Sequence, residues 1–151
     1  MRAIVQRVKY AKNIVDNVTL QEISAGICVY VAFKKEDVDA DIEYIVNKVL
    51  KLKLFDQNKV MWKQSVTSSN FEIICAPQQS ILAESHLVES EDNSGYTCLY
   101  DAFITTLKKK YTADKIIALD YNKQNSIDLV NEGPVTILID SRKFKYIDHS
   151  F

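Results

Sequence analysis

The chain has 151 residues, 47% of them apolar and 26% charged, with a formal net charge of −1. That length and composition suit one globular domain with a real hydrophobic core, residues 1–151 as a single unit. Near-zero charge gives no global attraction to nucleic acid, so any such contact needs a local patch. No apolar run approaches the ~20 residues that span a bilayer, and the opening MRAIVQRVKY lacks the apolar core and cleavage site of a secretory signal, so a cytoplasmic chain with no membrane partner is expected.

RAIVQRVKY alternates, with Ala3, Val5 and Arg7 on one side and Ile4, Gln6 and Val8 on the other, which is the period of a strand. KNIVDNVTLQEI continues it as a hairpin bent at Asp16-Asn17. GICVYVAF is an unbroken β-branched and aromatic run, the pattern of a central strand. KKED interrupts it, and Asp37 or Asp39 is positioned to cap a helix. The apolar face of that helix is Val38, Ile42, Ile45, Val46, Val49 and Leu50, and LKLF ends it. DQNKVMWKQSVTSSN is polar and turn-rich, a surface hairpin or loop. FEIICA reads as a short buried strand, followed by PQQSILAES and an acidic loop, HLVESEDNSG. Asn93 or Ser94 starts a second helix with the stripe Tyr96, Leu99, Tyr100, Phe103, Ile104 and Leu107. Lys108–Lys110 suit the negative end of its dipole. DKIIAL, NSIDLV and VTILID are three further strands. The pattern predicts an α/β single domain, layered sheets with two helices packed on one face.

Little in the chain advertises catalysis. Cys28, Cys75 and Cys98 each sit in an apolar stretch with no CxxC pair, so they read as buried free thiols. Neither His86 nor His149 follows a strand end with a nucleophile nearby. GxSxG, Walker, GxGxxG and HExxH motifs are all missing, so neither a cofactor nor a metal is expected. Asp37, Asp39 and Asp41, like Glu89, Glu91 and Asp92, read as solvated faces. One dipeptide stands out. A chain with three glycines and two prolines sets Gly133-Pro134 together before an apolar run. Glycine lets the backbone approach a ligand without a Cβ. A proline opening a strand is also an ordinary turn, and the residues alone leave both readings open.

Three segments carry a resemblance: MRAIVQRV at the start, PQQSIL at 77–82 and NEGPVTILIDS at 131–141. Their order and spacing resemble the D-aminoacyl-tRNA deacylases, also called D-tyrosyl-tRNA deacylases. The stretch VAFKKEDVDADIEYIVNKVLKLKLF matches in position too, so the likeness covers essentially the whole chain. It implies a homodimeric hydrolase that cleaves the ester between a D-amino acid and the 3′-terminal ribose of tRNA. It further implies that Gly133 and Pro134 of one subunit enter the partner's site, with the peptide bond between them cis. Rigid carbonyls there accept hydrogen at the chiral centre and collide with a side chain. Gln78, Gln79 and Ser80 fall in the catalytic motif, and Pro77, Arg7 and Tyr121 are implied at the substrate. Ser80 as a nucleophile needs a base, and no histidine is at hand. Backbone N–H groups around 78–80 can instead hold an oxyanion, with the ribose 2′-hydroxyl assisting. A plain core hydroxyl is the third option for Ser80.

The chain also departs from the pattern. D-specific members carry Ser-Gln-x-Thr-Leu where this chain has Pro77-Gln78-Gln79-Ser80-Ile81. Pro77 resembles an animal-type branch that removes L-alanine from tRNA for threonine; VYVAFKK, NSG and Tyr121 lean the same way. Arg7 and the opening octamer lean to the D-specific type. A cis Gly133-Pro134 bond would accompany D-selectivity, a trans bond the L-alanine editor. A basic tract of the family is replaced by AESHLVESEDNSG, with Glu84, Glu89, Glu91 and Asp92. Cations for tRNA phosphates must then come from Lys34-Lys35, from Lys51 and Lys53, or from Lys108–Lys110. Leu119-Asp120-Tyr121-Asn122 stands for a Gly-x-Phe/Tyr-Gly stretch; Asn122 tolerates a left-handed backbone and Leu119 does not. The readings are a D-aminoacyl-tRNA deacylase, an L-alanyl-tRNA editor, or a non-catalytic dimeric relative that binds a protein or nucleic acid.

Overall fold

The computed structural model describes residues 1–82 and 94–142. Its elements in chain order are β1 (Arg2–Val15), β2 (Val18–Ile23), β3 (Gly26–Ala32), α1 (Asp39–Lys51), β4 (Lys53–Gln57), β5 (Val60–Ser65), β6 (Glu72–Pro77), α2 (Ser94–Lys110), β7 (Ile116–Ala118) and β8 (Ser126–Asp140). Short 3₁₀ turns lie at Gln79–Leu82 and Ala113–Lys115.

Long β1 organises the main sheet. One of its edges carries β3 along Arg2–Val8 and then β2 along Ala11–Val15, both antiparallel. The other edge carries antiparallel β8. Beyond β3 the sheet turns parallel, β3 to β6 and β6 to β7. β4 and β5 form a separate hairpin. Two hairpin bends need left-handed residues, and the chain supplies Asp16-Asn17 and Asn58-Lys59, all at positive φ.

The main core lies between the sheet and the two helices. Ala3, Val5, Val29, Val31, Ile73 and Cys75 meet Ile45, Val49, Phe103 and Leu107 there. A smaller cluster of Val8, Ala11, Ile23, Cys28, Ile74, Ala76 and Leu119 forms apart from it. An α/β domain with both helices in one core agrees with the sequence reading. No helix among the described residues is long and apolar enough to cross a membrane.

Several local expectations are corrected. LKLF does not end α1; it begins β4, because Leu54 and Phe55 are drawn into the core. Neither Asp37 nor Asp39 caps α1. Val38 is the N-cap, and its N–H is taken by Asp41 Oδ2 at 2.9 Å. Asp37 turns inward to the Met1 ammonium, 2.6 Å away, and to the Lys34 N–H. Val38 is therefore exposed rather than on the apolar face. Cys28 and Cys75 are buried, but Cys98 is exposed, since it falls off the Tyr96–Tyr100–Phe103–Leu107 stripe. NSIDLV and VTILID are not two strands but the two halves of β8. His86, His149 and the acidic residues 84, 89, 91 and 92 lie outside the described residues, as does Asn93.

Candidate active site

β3, β6 and β7 run parallel, with Val31 opposite Pro77 and Cys75 opposite Ala118. Their C-terminal ends therefore share one edge of the sheet. In open parallel sheets this is where ligands settle. Phe33 follows β3, Gln78–Ser80 follow β6, and Tyr121 follows β7, so chain segments far apart in sequence converge there.

Gln78 donates its N–H to the Val31 carbonyl at 2.8 Å, extending the β3–β6 pairing past Pro77. Gln79 then turns in. Its Oε1 accepts the Phe33 N–H at 3.0 Å and its Nε2 donates to the Phe33 carbonyl. One amide side chain thus stands in for a strand neighbour. Gln79 holds the turn, and its amide is committed to that task. Gln78 and Ser80 are exposed on the turn, with Gln78 Nε2 3.4 Å from Ser80 Oγ. The N–H groups of Gln79 and Ser80 open the turn and have no carbonyl within it to bond. Among the described residues no histidine serves Ser80.

Tyr121 lines a cavity of about 460 Å³ with Tyr100, Asp101, Thr105 and Asp120. Its ring centroid is 5.9 Å from that of Tyr100, whose hydroxyl donates to the Cys75 carbonyl at 3.0 Å. Burial pushes both phenols upward, so they stay neutral at neutral pH. Sequence reasoning saw Tyr100 only as a member of a core stripe. The glycines absent at 119 and 122 are not missed. Neither Leu119 nor Asn122 takes a positive φ. The Leu119 N–H is held by the Cys75 carbonyl at 2.9 Å and its side chain is buried.

Gly133 and Pro134 sit elsewhere. Opposite β1, Thr136 pairs with Gln6 and Asn131 with Val8, so residues 132–135 of β8 bulge out over the single residue Arg7. Arg7 continues the inward face of Ala3 and Val5. Its Nε donates to the Glu132 carbonyl at 3.0 Å and its Nη1 to the Leu54 carbonyl at 2.6 Å. Gly133 has φ +112°, and a Cβ there would stand 2.7 Å from Arg7 Nη2. No peptide bond among the described residues is cis, which corrects the expectation for Gly133-Pro134. Glycine at positive φ turns the chain, so the bulge forms with a trans bond.

Arg7 pairs with Ile27 and Ala3 with Val31. Four residues of strand, about 13 Å, separate the level of the bulge from the level where Gln78 attaches. Within one chain, the Gly133-Pro134 bulge and the Gln78–Ser80 turn are not brought together.

Comparison with known proteins gives the family. The family model described as D-Tyr-tRNA(Tyr) deacylase matches residues 4–140. The D-aminoacyl-tRNA deacylase of Drosophila melanogaster is 33% identical, over 98% of this chain and 97% of its own length. Among solved structures, the c-Myc DNA unwinding element binding protein superposes with a TM-score of 0.85 at 28% identity, covering 93% of this chain and 98% of its own. A probable eukaryotic D-amino acid tRNA deacylase shares the fold, with a TM-score of 0.73 at 17% identity over 92% of this chain and 98% of its own.

Proposed function

Because the chain belongs to the D-Tyr-tRNA(Tyr) deacylase family, we propose that its D-aminoacyl-tRNA hydrolysis takes place at the Gln78–Ser80 turn, with Gly133-Pro134 as the stereochemical gate. The activity is that of a hydrolase: the ester joining a D-amino acid to tRNA is cleaved to free D-amino acid and tRNA. The observation that carries the assignment of the site is the convergence of Gln78, Ser80 and Tyr121 on the C-terminal edge of parallel strands.

The N–H groups of Gln79 and Ser80 receive the charge that develops on the ester oxygen. Ser80, served by no base among the described residues, positions water or the ribose 2′-hydroxyl rather than attacking. Tyr121, half-buried and backed by the core residue Tyr100, offers an aromatic face for the terminal nucleoside. Pro77 stiffens the approach to the turn.

The gate comes from a second copy. A bulge that stands about 13 Å along the sheet from the turn in its own chain serves a site only when another chain brings it there. β8 is paired on one edge, by β1. Leu138 and Val130 are exposed on it. Both features support an interface between copies, which should bury at least ~1,200 Å² in total. Mixing an inactive Gly133 variant with an inactive Gln78 variant should then restore activity, because mixed dimers contain one intact site. A monomer that is active at micromolar concentration would rule out the shared site.

On the criterion drawn from the sequence, a trans Gly133-Pro134 bond goes with the L-alanine editor; the named relative does not favour that reading. Deacylation of D- and L-charged tRNA measured side by side is the test. Release of L-alanine with D-aminoacyl-tRNA left intact would overturn the D-selective reading.

A further inference from the structure

The β4–β5 hairpin carries an exposed apolar tip, Val60, Met61 and Trp62, with Trp62 57% exposed. Trp62 is the only tryptophan of the chain. Its backbone is left-handed, with φ +57°, where the β4–β5 register slips. Glycine or asparagine is the usual occupant of such a bulge, and a bulky residue there is strained. The indole leaves most of its surface in solvent on a strained backbone, and strain of this kind clusters at functional positions.

Its surroundings are cationic. Residues 48–64 hold five lysines, Lys48, Lys51, Lys53, Lys59 and Lys63, against one acid, Asp56; that is 5 − 1 = +4 in a chain whose net charge is −1. Among the described residues Lys53, Lys59 and Lys63 make no ion pair. The one carboxylate is occupied. Asp56 Oδ1 accepts the Trp62 N–H at 3.2 Å and lies 3.7 Å from Arg7 Nη1. Through Asp56 and Arg7 the hairpin is tied to the Glu132–Pro134 bulge.

We infer that Trp62 is a stacking platform for an unpaired nucleotide of the tRNA substrate, with Lys53, Lys59 and Lys63 meeting its phosphates. The inference rests on the deacylase reading and names the RNA surface of that same site. An indole face takes any base, and flanking lysines track the backbone, the usual pairing in single-strand binding. A protein partner fits less well. Protein interfaces deplete charge at their centre, whereas Lys59 and Lys63 flank this tip along the hairpin. The hairpin also supplies cations that the acidic stretch 84–92 cannot, and the tie to the gate puts them beside the reacting end.

As the sole tryptophan, Trp62 reports on the surface by its own fluorescence. Uncharged tRNA should quench it saturably, less so as salt rises, and a blunt-ended RNA duplex should quench it weakly. Trp62→Ala should raise KM for D-aminoacyl-tRNA about tenfold with kcat within about twofold; Trp62→Phe should keep most of the affinity. Lys59→Glu with Lys63→Glu should raise KM and flatten its salt dependence. Unchanged fluorescence at tRNA concentrations that saturate deacylation overturns the inference. So does a fluorescence change that follows protein concentration without RNA, which would assign the tip to a second copy of the chain. Quenching by tRNA in a protein that leaves D-aminoacyl-tRNA uncleaved would sink the deacylase reading and leave the RNA surface standing.

Discussion

Arg7 and Gly133 fit against each other across the β1–β8 pair. Arg7 Nε holds the Glu132 carbonyl at 3.0 Å, and Arg7 Nη2 occupies the space beside Gly133 where a Cβ would stand 2.7 Å away. The bulge that carries Pro134 is thus shaped by a residue 126 positions earlier in the chain. Gly133→Ala should cost about 1–3 kcal/mol of stability, since it adds both a left-handed penalty and a clash. It should also erode discrimination between D- and L-charged tRNA, because the bulge must shift. Arg7→Lys should behave like Arg7→Ala, since an ammonium cannot span the Leu54 and Glu132 carbonyls as the guanidinium fork does. Denaturant melts combined with D/L rate ratios test both; a Gly133→Ala protein of unchanged stability and selectivity would refute the account.

Gln79 and Gln78 are neighbours with different duties. Gln79→Ala leaves the Phe33 N–H and carbonyl without their partner and should lose roughly 1–3 kcal/mol, with activity falling in parallel. Gln78→Ala removes an exposed side chain and should leave the melt within about 0.5 kcal/mol of the parent while still lowering activity. Equal stability losses in the two variants would remove the distinction.

Ser80→Ala separates positioning from nucleophilic attack. With the hydroxyl only positioning the substrate, activity should drop but stay measurable, on the order of tenfold to a hundredfold. Complete loss, together with an acyl-enzyme trapped from the parent and seen by mass spectrometry, would restore the nucleophile.

Lys34 and Lys35 follow Phe33, the residue that Gln79 grips. They therefore abut the Gln78–Ser80 turn. Lys110, by contrast, is engaged with Glu43 and Asn47 between the helices. Charge reversal at 34 and 35 should raise KM for charged tRNA and weaken its salt dependence, with kcat little changed. Reversal at Lys109 should do neither. The same KM at all salt concentrations after reversal at 34 and 35 would exclude them from the RNA path.

Thiol chemistry offers a check on burial. Burial pushes the Cys28 thiol up to about 11 and raises Cys75 as well, so neither forms thiolate near pH 8. Cys98 is exposed. One thiol of three should react with Ellman's reagent in the native protein at pH 8, and all three after unfolding. Two fast thiols in the folded state would contradict the β3–β6 core.

Much of this was legible from residues alone, and the reasons are local. Alternation in β1, the unbroken apolar run of β3 and the 3.6-residue stripes of α1 and α2 each repeat one physical rule over many positions, so single exceptions such as Val38 or Cys98 do not hide them. Asp16-Asn17 marked its bend because few residues tolerate two successive left-handed conformations. The motifs around residues 78–80 and 131–141 pointed to a family by their spacing.

What the sequence could not decide depends on partners distant in the chain. Nothing near Gly133 says that Arg7 will fill the space over it, or that the flanking runs will join as one strand, β8, against β1; that follows from a register set over eleven paired positions. Nothing in the motif around Gln79 says that its side-chain amide will clasp Phe33; that follows because the end of β3 needed a neighbour that β6 no longer supplied. LKLF looked like the tail of a helix and became β4, since Leu54 and Phe55 gain more from the core than from another turn. Local periodicity determined the long elements β1, β3, α1 and α2. Which carbonyl meets which donor, and so where the Gly133-Pro134 bulge and the Gln78–Ser80 turn lie, was decided only when the strands closed on one another, because hydrogen bonding and close packing are satisfied between segments and not within them.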